Sequence, residues 1–189
     1  MDAALKAFLC VLDPCDTSTG GGTASAVAGA MAAALVAMVA RLSLGKTKVE
    51  PAPFYQSIAD EAEALSRNLS QGAGDDSESF EAVRATLRMP KQSEEERTLR
   101  QTAFAAAMLH ATEVPLSNAQ LCRRVLELIR MLKGRSNPNA ASDLECAFLL
   151  AQAGLKGCLA NVAVNLPSIK QAHHVDRLKS KAEELERLG

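Results

Sequence analysis

Aromatic residues are scarce in this sequence. They make up 3% of its 189 residues, and tryptophan is absent, so a core built mainly from aromatic rings is excluded. The core must be aliphatic, and 34 alanines are available to build it. Alanine loses little side-chain entropy in a helix and lets two helix backbones approach closely. The composition therefore predicts tightly packed helices.

The sequence also lacks an excess of charge of either sign. It has 21 basic and 22 acidic residues, which gives a net charge of -1. Binding to nucleic acid is dominated by neutralisation of phosphates, and the chain has no basic cluster for phosphates or for an anionic lipid surface. We expect neither a nucleic acid nor a membrane as a partner.

Cysteine patterns that mark metal sites or disulfide frameworks are missing. The five cysteines are odd in number and form no C-x-x-C pair. Neither they nor His110, His173 and His174 have companions at metal-ligand spacing. The N-terminus lacks the basic and apolar regions of a secretory signal. We expect reduced thiols, no metal and a cytoplasmic location.

One uncharged run, residues 24–40, is the feature most similar to a membrane span. A span needs about 20 predominantly apolar residues, and this run is shorter. Alanine and glycine dominate it, and these residues contribute little to insertion into a bilayer. We expect a long Ala-rich helix that is buried on all sides of a bundle.

No segment alternates between apolar and polar residues over the length of a strand, so we expect an all-α fold in one domain, residues 1–189. Glycine, proline and capping signals divide the chain into about eight helices. Gly72 and Gly74 are expected to end one helix, and Pro115 to end another. The predicted helices are residues 3–12, 23–44, 54–69, 75–87, 93–113, 116–132, 137–159 and 169–188, of which those beginning at 75 and 93 open with a capping box.

A glycine triplet, Gly20, Gly21 and Gly22, directly precedes the Ala-rich helix. Helix N-termini carry unpaired N–H groups and a partial positive charge, so such a loop could bind a carboxylate or a phosphate. The triplet lacks the lysine and the spacing of nucleotide-binding glycine motifs. A flexible turn is the alternative interpretation.

Polar residues also crowd the C-terminal part of the chain. Asn137, Asn139 and Asp143 lie at the start of one predicted helix, and Asn161 and Asn165 follow in the same apolar region. Capping alone would use one or two of them. A partly desolvated carboxylate such as Asp143 could act as a base or pair with a cation. These residues therefore indicate a polar pocket in a helical bundle.

Six blocks of sequence occur in a characteristic order along nearly the whole chain. They are T-S-T-G-G-G-T-A-S-A-V-A-G-A-M-A-A-A-L-V-A-M-V-A-R-L-S-L-G-K-T-K (17–48), D-S-E-S-F (76–80), M-P-K (89–91), E-V-P-L (113–116), S-N-P-N-A-A-S-D (136–143) and N-V-A-V-N (161–165). In this order they resemble the cyclodeaminase family. That family includes the cyclodeaminase half of formiminotransferase-cyclodeaminase and the stand-alone methenyltetrahydrofolate cyclohydrolases.

The resemblance implies an all-helical homodimer with a folate pocket near the glycine loop and with no metal or organic cofactor. The chain departs from the family pattern at Thr19, where a proline usually precedes the glycines. It also departs at Val49, where an aromatic residue often follows the lysines, and at Glu145, where a small residue is common. These three positions affect the expected shape of the pocket.

The resemblance also gives roles to particular residues. We expect Asp143 to act as the base for water, and Asp76 to deliver a proton to a departing amine. The glycine-loop amides could bind the anionic glutamate tail of folate or the polar edge of the pterin. The full set of expected substrate-binding residues is Gly20, Gly21, Gly22, Ser25, Lys46, Lys91, Asn137, Asn139 and Asn161.

The leading interpretation of function is a methenyltetrahydrofolate cyclohydrolase, because the chain has no formiminotransferase domain. Such an enzyme hydrolyses 5,10-methenyltetrahydrofolate to 10-formyltetrahydrofolate. A formimidoyltetrahydrofolate cyclodeaminase, which releases ammonia, is the first alternative. A folate-binding or scaffold protein without catalytic activity is the second.

Overall fold

A computed structural model of the chain describes residues 3–47 and 49–188. These residues form six α-helices and two short 3-10 helices, with no strand among them, which confirms the all-α prediction. The α-helices are α1 (Ala3–Leu12), α2 (Gly21–Ser43), α3 (Ala52–Leu87), α4 (Glu94–Leu132), α5 (Ala141–Asn165) and α6 (Ala172–Leu188), and the 3-10 helices are Pro138–Ala140 and Leu166–Ser168.

The Ala-rich helix α2 lies at the centre of the bundle, packed against α3, α4 and α5. Small residues allow these close contacts: a Cβ atom added at Gly29 would lie 2.5 Å from Cys122 Sγ of α4. One added at Gly154 of α5 would lie 2.9 Å from the carbonyl oxygen of Ser25. The prediction of a long Ala-rich helix packed inside the bundle is therefore confirmed. The helix begins at Gly21, so only Gly20 of the triplet precedes it, and burial on all sides is wrong for the single chain because Met31, Met38 and Leu42 are exposed.

The predicted break at Gly72 and Gly74 is wrong, because α3 continues through both residues. Gly72 allows α4 to approach: a Cβ atom there would lie 2.0 Å from Asn118 Oδ1. Asn118 is buried and donates from Nδ2 to the carbonyl oxygen of Gly72 at 3.1 Å. The predicted capping box at Asp75 is consequently wrong too, since Asp75 lies inside the helix.

The predicted break at Pro115 is also wrong, because α4 runs through this proline. A proline inside a helix has no N–H to donate to the carbonyl group four residues earlier. That carbonyl belongs to Ala111, and Asn165 Nδ2 of α5 donates to it at 2.8 Å. The number of α-helices is therefore six rather than about eight. The predicted capping box at Ser93, with Glu96, is confirmed.

Two helical segments of the described residues are long and apolar enough to cross a membrane by length and composition alone: Gly21–Ser43 and Pro138–Ser168. In the first, 56% of the most apolar window is buried within the bundle. In the second the share is 33%. A core helix of a bundle passes the same test, and the packing of α2 on three neighbouring helices matches that description.

Candidate active site

A cavity of about 280 Å³ opens at the N-terminal end of α2. It is bounded by the loop before α2 and by parts of α3, α4 and α5. Its lining mixes polar and apolar residues. The polar ones include Ser18, Thr23, Asp76, Asn161 and Asn165, and the apolar ones are Phe80, Val83, Met108, Ala111 and Val164.

The carboxyl group of Asp76 lies directly against the first turn of α2. Thr23 is fully buried, and its hydroxyl donates to Asp76 Oδ2 at 2.8 Å. A Cβ atom added at Gly22 would lie 2.6 Å from Asp76 Oδ1 and 2.7 Å from Oδ2. Glycine is therefore required at this position for the carboxyl group to reach its place in the cavity.

Burial raises the pKa of Asp76 above its ordinary value, while hydrogen bonds from the hydroxyl and backbone N–H of Thr23 act in the opposite direction. The net effect is a carboxyl group that holds its proton more readily than an exposed aspartate does. A raised pKa makes this carboxyl group a better proton donor at a given pH than an exposed aspartate, while its ionised form can still accept a proton.

The glycine loop lies beside this carboxyl group. Gly20 is the N-cap of α2 and has no side chain to cap the helix, so the first-turn N–H groups have no capping partner in the side chains of the loop. A Cβ atom added at Gly20 would have no neighbour within 4 Å, and one at Gly21 would touch the Asn161 side chain at 3.4 Å. The structure brings Gly20 and Gly22 together with Asp76 and Asn161 at one cavity, whose lining does not include Gly21.

Thr19 occupies the loop position where the resemblance leads one to expect proline. Thr19 lines the cavity, and its hydroxyl oxygen is buried without a hydrogen-bond partner among the described residues. The preceding turn is held by Asp16 Oδ1, which accepts from the backbone N–H of Ser18 at 2.6 Å. Replacing proline by threonine therefore adds a polar atom to the wall of the cavity.

Ser25 does not line the cavity. It is buried between α2 and α5, and its hydroxyl donates to the carbonyl oxygen of Gly21 at 2.5 Å. A Cβ atom added at Gly157 of α5 would lie 2.0 Å from Ser25 Oγ. In this position Ser25 supports the first turn of α2 and the contact with α5.

The second predicted polar cluster lies at the opposite end of α2. Asn137 donates from Nδ2 to the carbonyl oxygen of Leu42 at 3.1 Å, and its backbone N–H donates to Ser43 Oγ at 2.9 Å. Its Oδ1 accepts from the backbone N–H of Asn139 at 3.0 Å, which caps the 3-10 helix before α5. Asn137 and Asn139 therefore join the C-terminal end of α2 to the start of α5.

Asp143 belongs to this distant cluster. It lies in the first turn of α5, whereas Asn161 lies near the other end of the same helix. At a rise of about 1.5 Å per residue, the two positions are about 27 Å apart. Within one chain, Asp143 and Asp76 therefore cannot act on the same substrate atom.

The two predicted lysines are also outside the cavity. Lys46 is exposed just after the C-terminal end of α2, and Lys91 is exposed in the turn between α3 and α4. Neither lines the cavity that contains Asp76. Their proposed contacts with a folate remain predictions.

Sequence reasoning did not select Thr23 and Phe80 as site residues. Thr23 follows the glycine triplet directly, so its place in the first turn of α2 was a usable signal. Asp76, Phe80 and Val83 recur at spacings of four and three residues, which places them on one face of a helix. The predicted helix over residues 75–87 contains all three residues, so this spacing was also a usable signal.

Comparison with known proteins finds relatives that match nearly the whole chain. The family model described as formiminotransferase-cyclodeaminase matches residues 4–184. The chain belongs to the formiminotransferase-cyclodeaminase family. Among relatives in this family, the methenyltetrahydrofolate cyclohydrolase of Methylorubrum extorquens is 38% identical over 177 residues, covering 93% of this chain and 85% of the relative.

Bifunctional family members are longer. The formimidoyltransferase-cyclodeaminase of Rattus norvegicus is 26% identical over 190 residues, which cover 96% of this chain but 35% of the rat protein. Among solved structures, formiminotetrahydrofolate cyclodeaminase from Thermotoga maritima has a TM-score of 0.83 and 28% identity. That match covers 97% of this chain and 88% of the other, so the whole helical arrangement is shared with this family member.

Proposed function

We propose that this protein is an enzyme that hydrolyses 5,10-methenyltetrahydrofolate to 10-formyltetrahydrofolate. The observation that carries the proposal is the partly buried carboxyl group of Asp76, held in a cavity by Thr23 and Gly22. The 38% identity to a methenyltetrahydrofolate cyclohydrolase over most of both chains supports the choice of substrate.

The chemistry of the substrate defines what the cavity must do. The methenyl carbon bridges N5 and N10 as an amidinium cation, and a carboxylate close to it stabilises that charge. Water attacks this carbon while Asp76, in its ionised form, takes a proton from the water. The product of this step is a tetrahedral carbon that carries a hydroxyl group.

Ring opening then requires a proton on N5. Protonated Asp76 delivers its proton to N5, the bond between N5 and the former methenyl carbon breaks, and the hydroxyl group loses its proton to solvent as the formyl carbonyl forms on N10. The overall reaction consumes one water, releases one proton and leaves Asp76 ionised again. The atoms and charges of this reaction balance without a metal or an organic cofactor.

Asp76 takes both proton-transfer steps in this proposal because it is the aspartate that lines the cavity. Asp143 was the expected base, but the length of α5 separates it from this cavity. A role for Asp143 in the same reaction would require a partner subunit to bring its own copy to the cavity. The variants discussed below distinguish the two assignments.

The second candidate is cyclodeamination of 5-formimidoyltetrahydrofolate, favoured by the structural match to the enzyme from Thermotoga maritima. In that reaction N10 attacks the formimino carbon, ammonia departs, and methenyltetrahydrofolate forms. Asp76 would protonate the departing amine. The polar residues that line the cavity suit either reaction.

Paired assays separate the two reactions. Purified protein is mixed with each substrate, and the near-ultraviolet absorbance of the methenyl compound and the ammonia concentration are followed. The proposal predicts loss of absorbance with the methenyl substrate and no ammonia from the formimidoyl substrate. Gain of absorbance with equal release of ammonia would instead assign the cyclodeaminase reaction.

We also propose that the protein acts as a cytoplasmic homodimer. Large apolar side chains of α1 and α2 are exposed in the single chain, among them Leu5, Phe8, Met31 and Leu42. Exposed apolar surface of this kind is covered in most stable proteins. Sedimentation at micromolar concentration should give a species of twice the 20.0 kDa chain mass, and a single species of chain mass would contradict the dimer.

A further inference from the structure

Two of the apolar residues that line the cavity have exposed side chains. Phe80 is 47% exposed and Val164 is 76% exposed, although both line the cavity. Val83 and Met108, which also line it, are 8% and 7% exposed. The apolar surface therefore continues from the interior of the cavity out to these two residues, which we call the rim.

An exposed aromatic ring is a costly feature in this particular chain. The sequence contains five phenylalanines, one tyrosine and no tryptophan, and Tyr55 is fully buried in the core. Burying an aromatic side chain is among the largest hydrophobic contributions that a residue can make. Because about half of the Phe80 side chain is exposed in the free protein, a ligand ring that packs against it would bury further apolar surface.

The position of Phe80 along α3 relates it to the reacting group. It lies one helical turn after Asp76, on the same face, which is about 6 Å along the helix axis. In a folate, the aminobenzoyl ring is bonded directly to N10, and N10 is bonded to the carbon that reacts. A substrate with its reacting carbon at Asp76 therefore extends its aromatic ring over a distance that matches the rim.

The size of the cavity leads to the same placement. Cavities for drug-sized ligands measure about 300–1,000 Å³, and this one, at about 280 Å³, lies at the lower limit. It can enclose the reacting end of a folate, while the remainder must pass over the rim. The polar lining residues around Asp76 then contact the bicyclic pterin, and the apolar rim contacts the ring beyond N10.

We propose that Phe80, together with Val164, forms the binding site for the aminobenzoyl ring of the folate substrate. This inference rests on the proposed function. Offset-stacked and edge-to-face contacts with an aromatic ring are favourable beyond the burial of area alone. Phe80 is thus a substrate-positioning residue: it aligns the bridge carbon with Asp76 and takes no part in proton transfer.

Three variants test the proposal by steady-state kinetics on methenyltetrahydrofolate. For Phe80→Ala we expect KM to rise about ten-fold with kcat within about two-fold of wild type, because the contact is made equally in the ground and transition states. Phe80→Tyr keeps the ring and should have a KM within about two-fold of wild type. Leu87→Ala is the matched control, since Leu87 is 53% exposed two turns further along α3, outside the cavity.

A binding measurement distinguishes failure of this inference from failure of the proposed function. Wild type and Phe80→Ala are titrated with unreactive 5-formyltetrahydrofolate and with a tetrahydropterin that lacks the aminobenzoyl group. We expect about ten-fold weaker binding of the folate only. An inactive wild type that still shows this difference overturns the hydrolase assignment and keeps the ring site. Unchanged folate affinity and KM in Phe80→Ala overturn the ring site.

Sedimentation of the same variants tests a different reason for exposure of Phe80. If Phe80 were covered by a second copy of the chain, Phe80→Ala would shift the protein towards monomer, and the change in KM would vary with protein concentration. That result would overturn the proposal. The ring site predicts the same oligomeric state for wild type, Phe80→Ala and Leu87→Ala.

Discussion

Replacing Asp76 by asparagine removes the acid–base group while keeping the shape of the cavity. Asparagine has nearly the same volume, and its Oδ1 can still accept the hydrogen bond that the Thr23 hydroxyl donates at 2.8 Å. A positioned acid or base contributes about 10²–10⁴-fold to a rate. Since Asp76 acts in two steps, we expect kcat to fall by about 100-fold or more, with KM within about three-fold of wild type.

The assay is the initial rate of absorbance loss by methenyltetrahydrofolate at neutral pH, after subtraction of the uncatalysed rate. Asp75→Asn is the matched control, because it makes the same change one residue earlier on α3 and outside the cavity. It should retain activity, as should Asp143→Asn. Retention of more than about a tenth of wild-type kcat in Asp76→Asn would exclude Asp76 as the acid–base group, and a large loss in Asp143→Asn would place Asp143 in the site.

Three further predictions follow from the contacts around the cavity. Gly22→Ala should lower kcat about as strongly as Asp76→Asn, because the added Cβ would lie within 2.7 Å of both carboxyl oxygens. Burial raises the pKa of Asp76 in the folded protein, so the contribution of this carboxyl group to stability falls as the pH rises above its ordinary pKa of about 4. Asp76→Asn should therefore gain stability relative to wild type with rising pH in urea unfolding. Asn165→Ala should cost about 1–3 kcal/mol of unfolding free energy, since it leaves the Ala111 carbonyl unpaired. The double variant with Pro115→Ala should recover part of this loss, because alanine supplies the missing N–H.

Each of these predictions has a control and a contradicting result. Gly20→Ala adds a Cβ with no neighbour within 4 Å, so it should cost much less activity than Gly22→Ala; equal losses would contradict the steric argument. A stability difference between Asp76→Asn and wild type that does not vary with pH would contradict the pKa argument. Additive effects of Asn165→Ala and Pro115→Ala would show that the two residues do not share the Ala111 carbonyl group.

The central helix was predictable because its sequence determines its environment. An uncharged run dominated by alanine has no polar face, so it requires apolar neighbours. Helices α3, α4 and α5 supply them on most sides, while Met31, Met38 and Leu42 stay exposed in the single chain. The long helices α3 and α4 were not predictable in the same way. Gly72 and Pro115 break helices by local preference, and only the contacts with Asn118 and Asn165, from other helices, reverse that preference.

The candidate site was predictable in part. The family blocks selected Asp76, the glycine loop and Asn161, and these residues do meet at one cavity. Asp143 was grouped with them by the same blocks. Its separation follows from the unbroken length of α5, which the sequence signals placed only to residue 159 and which continues to residue 165. Shared motifs indicate that a chain belongs to a family. The distances between the motif residues depend on helix lengths and packing.

The most direct test of the proposed hydrolase activity is the near-ultraviolet absorbance of methenyltetrahydrofolate at neutral pH after addition of the purified wild-type chain. We expect the absorbance to be lost faster than in the protein-free blank, in proportion to protein concentration, with 10-formyltetrahydrofolate as the product. A rate equal to that of the blank, at a protein concentration where binding of 5-formyltetrahydrofolate is measurable, would contradict the proposed hydrolase activity.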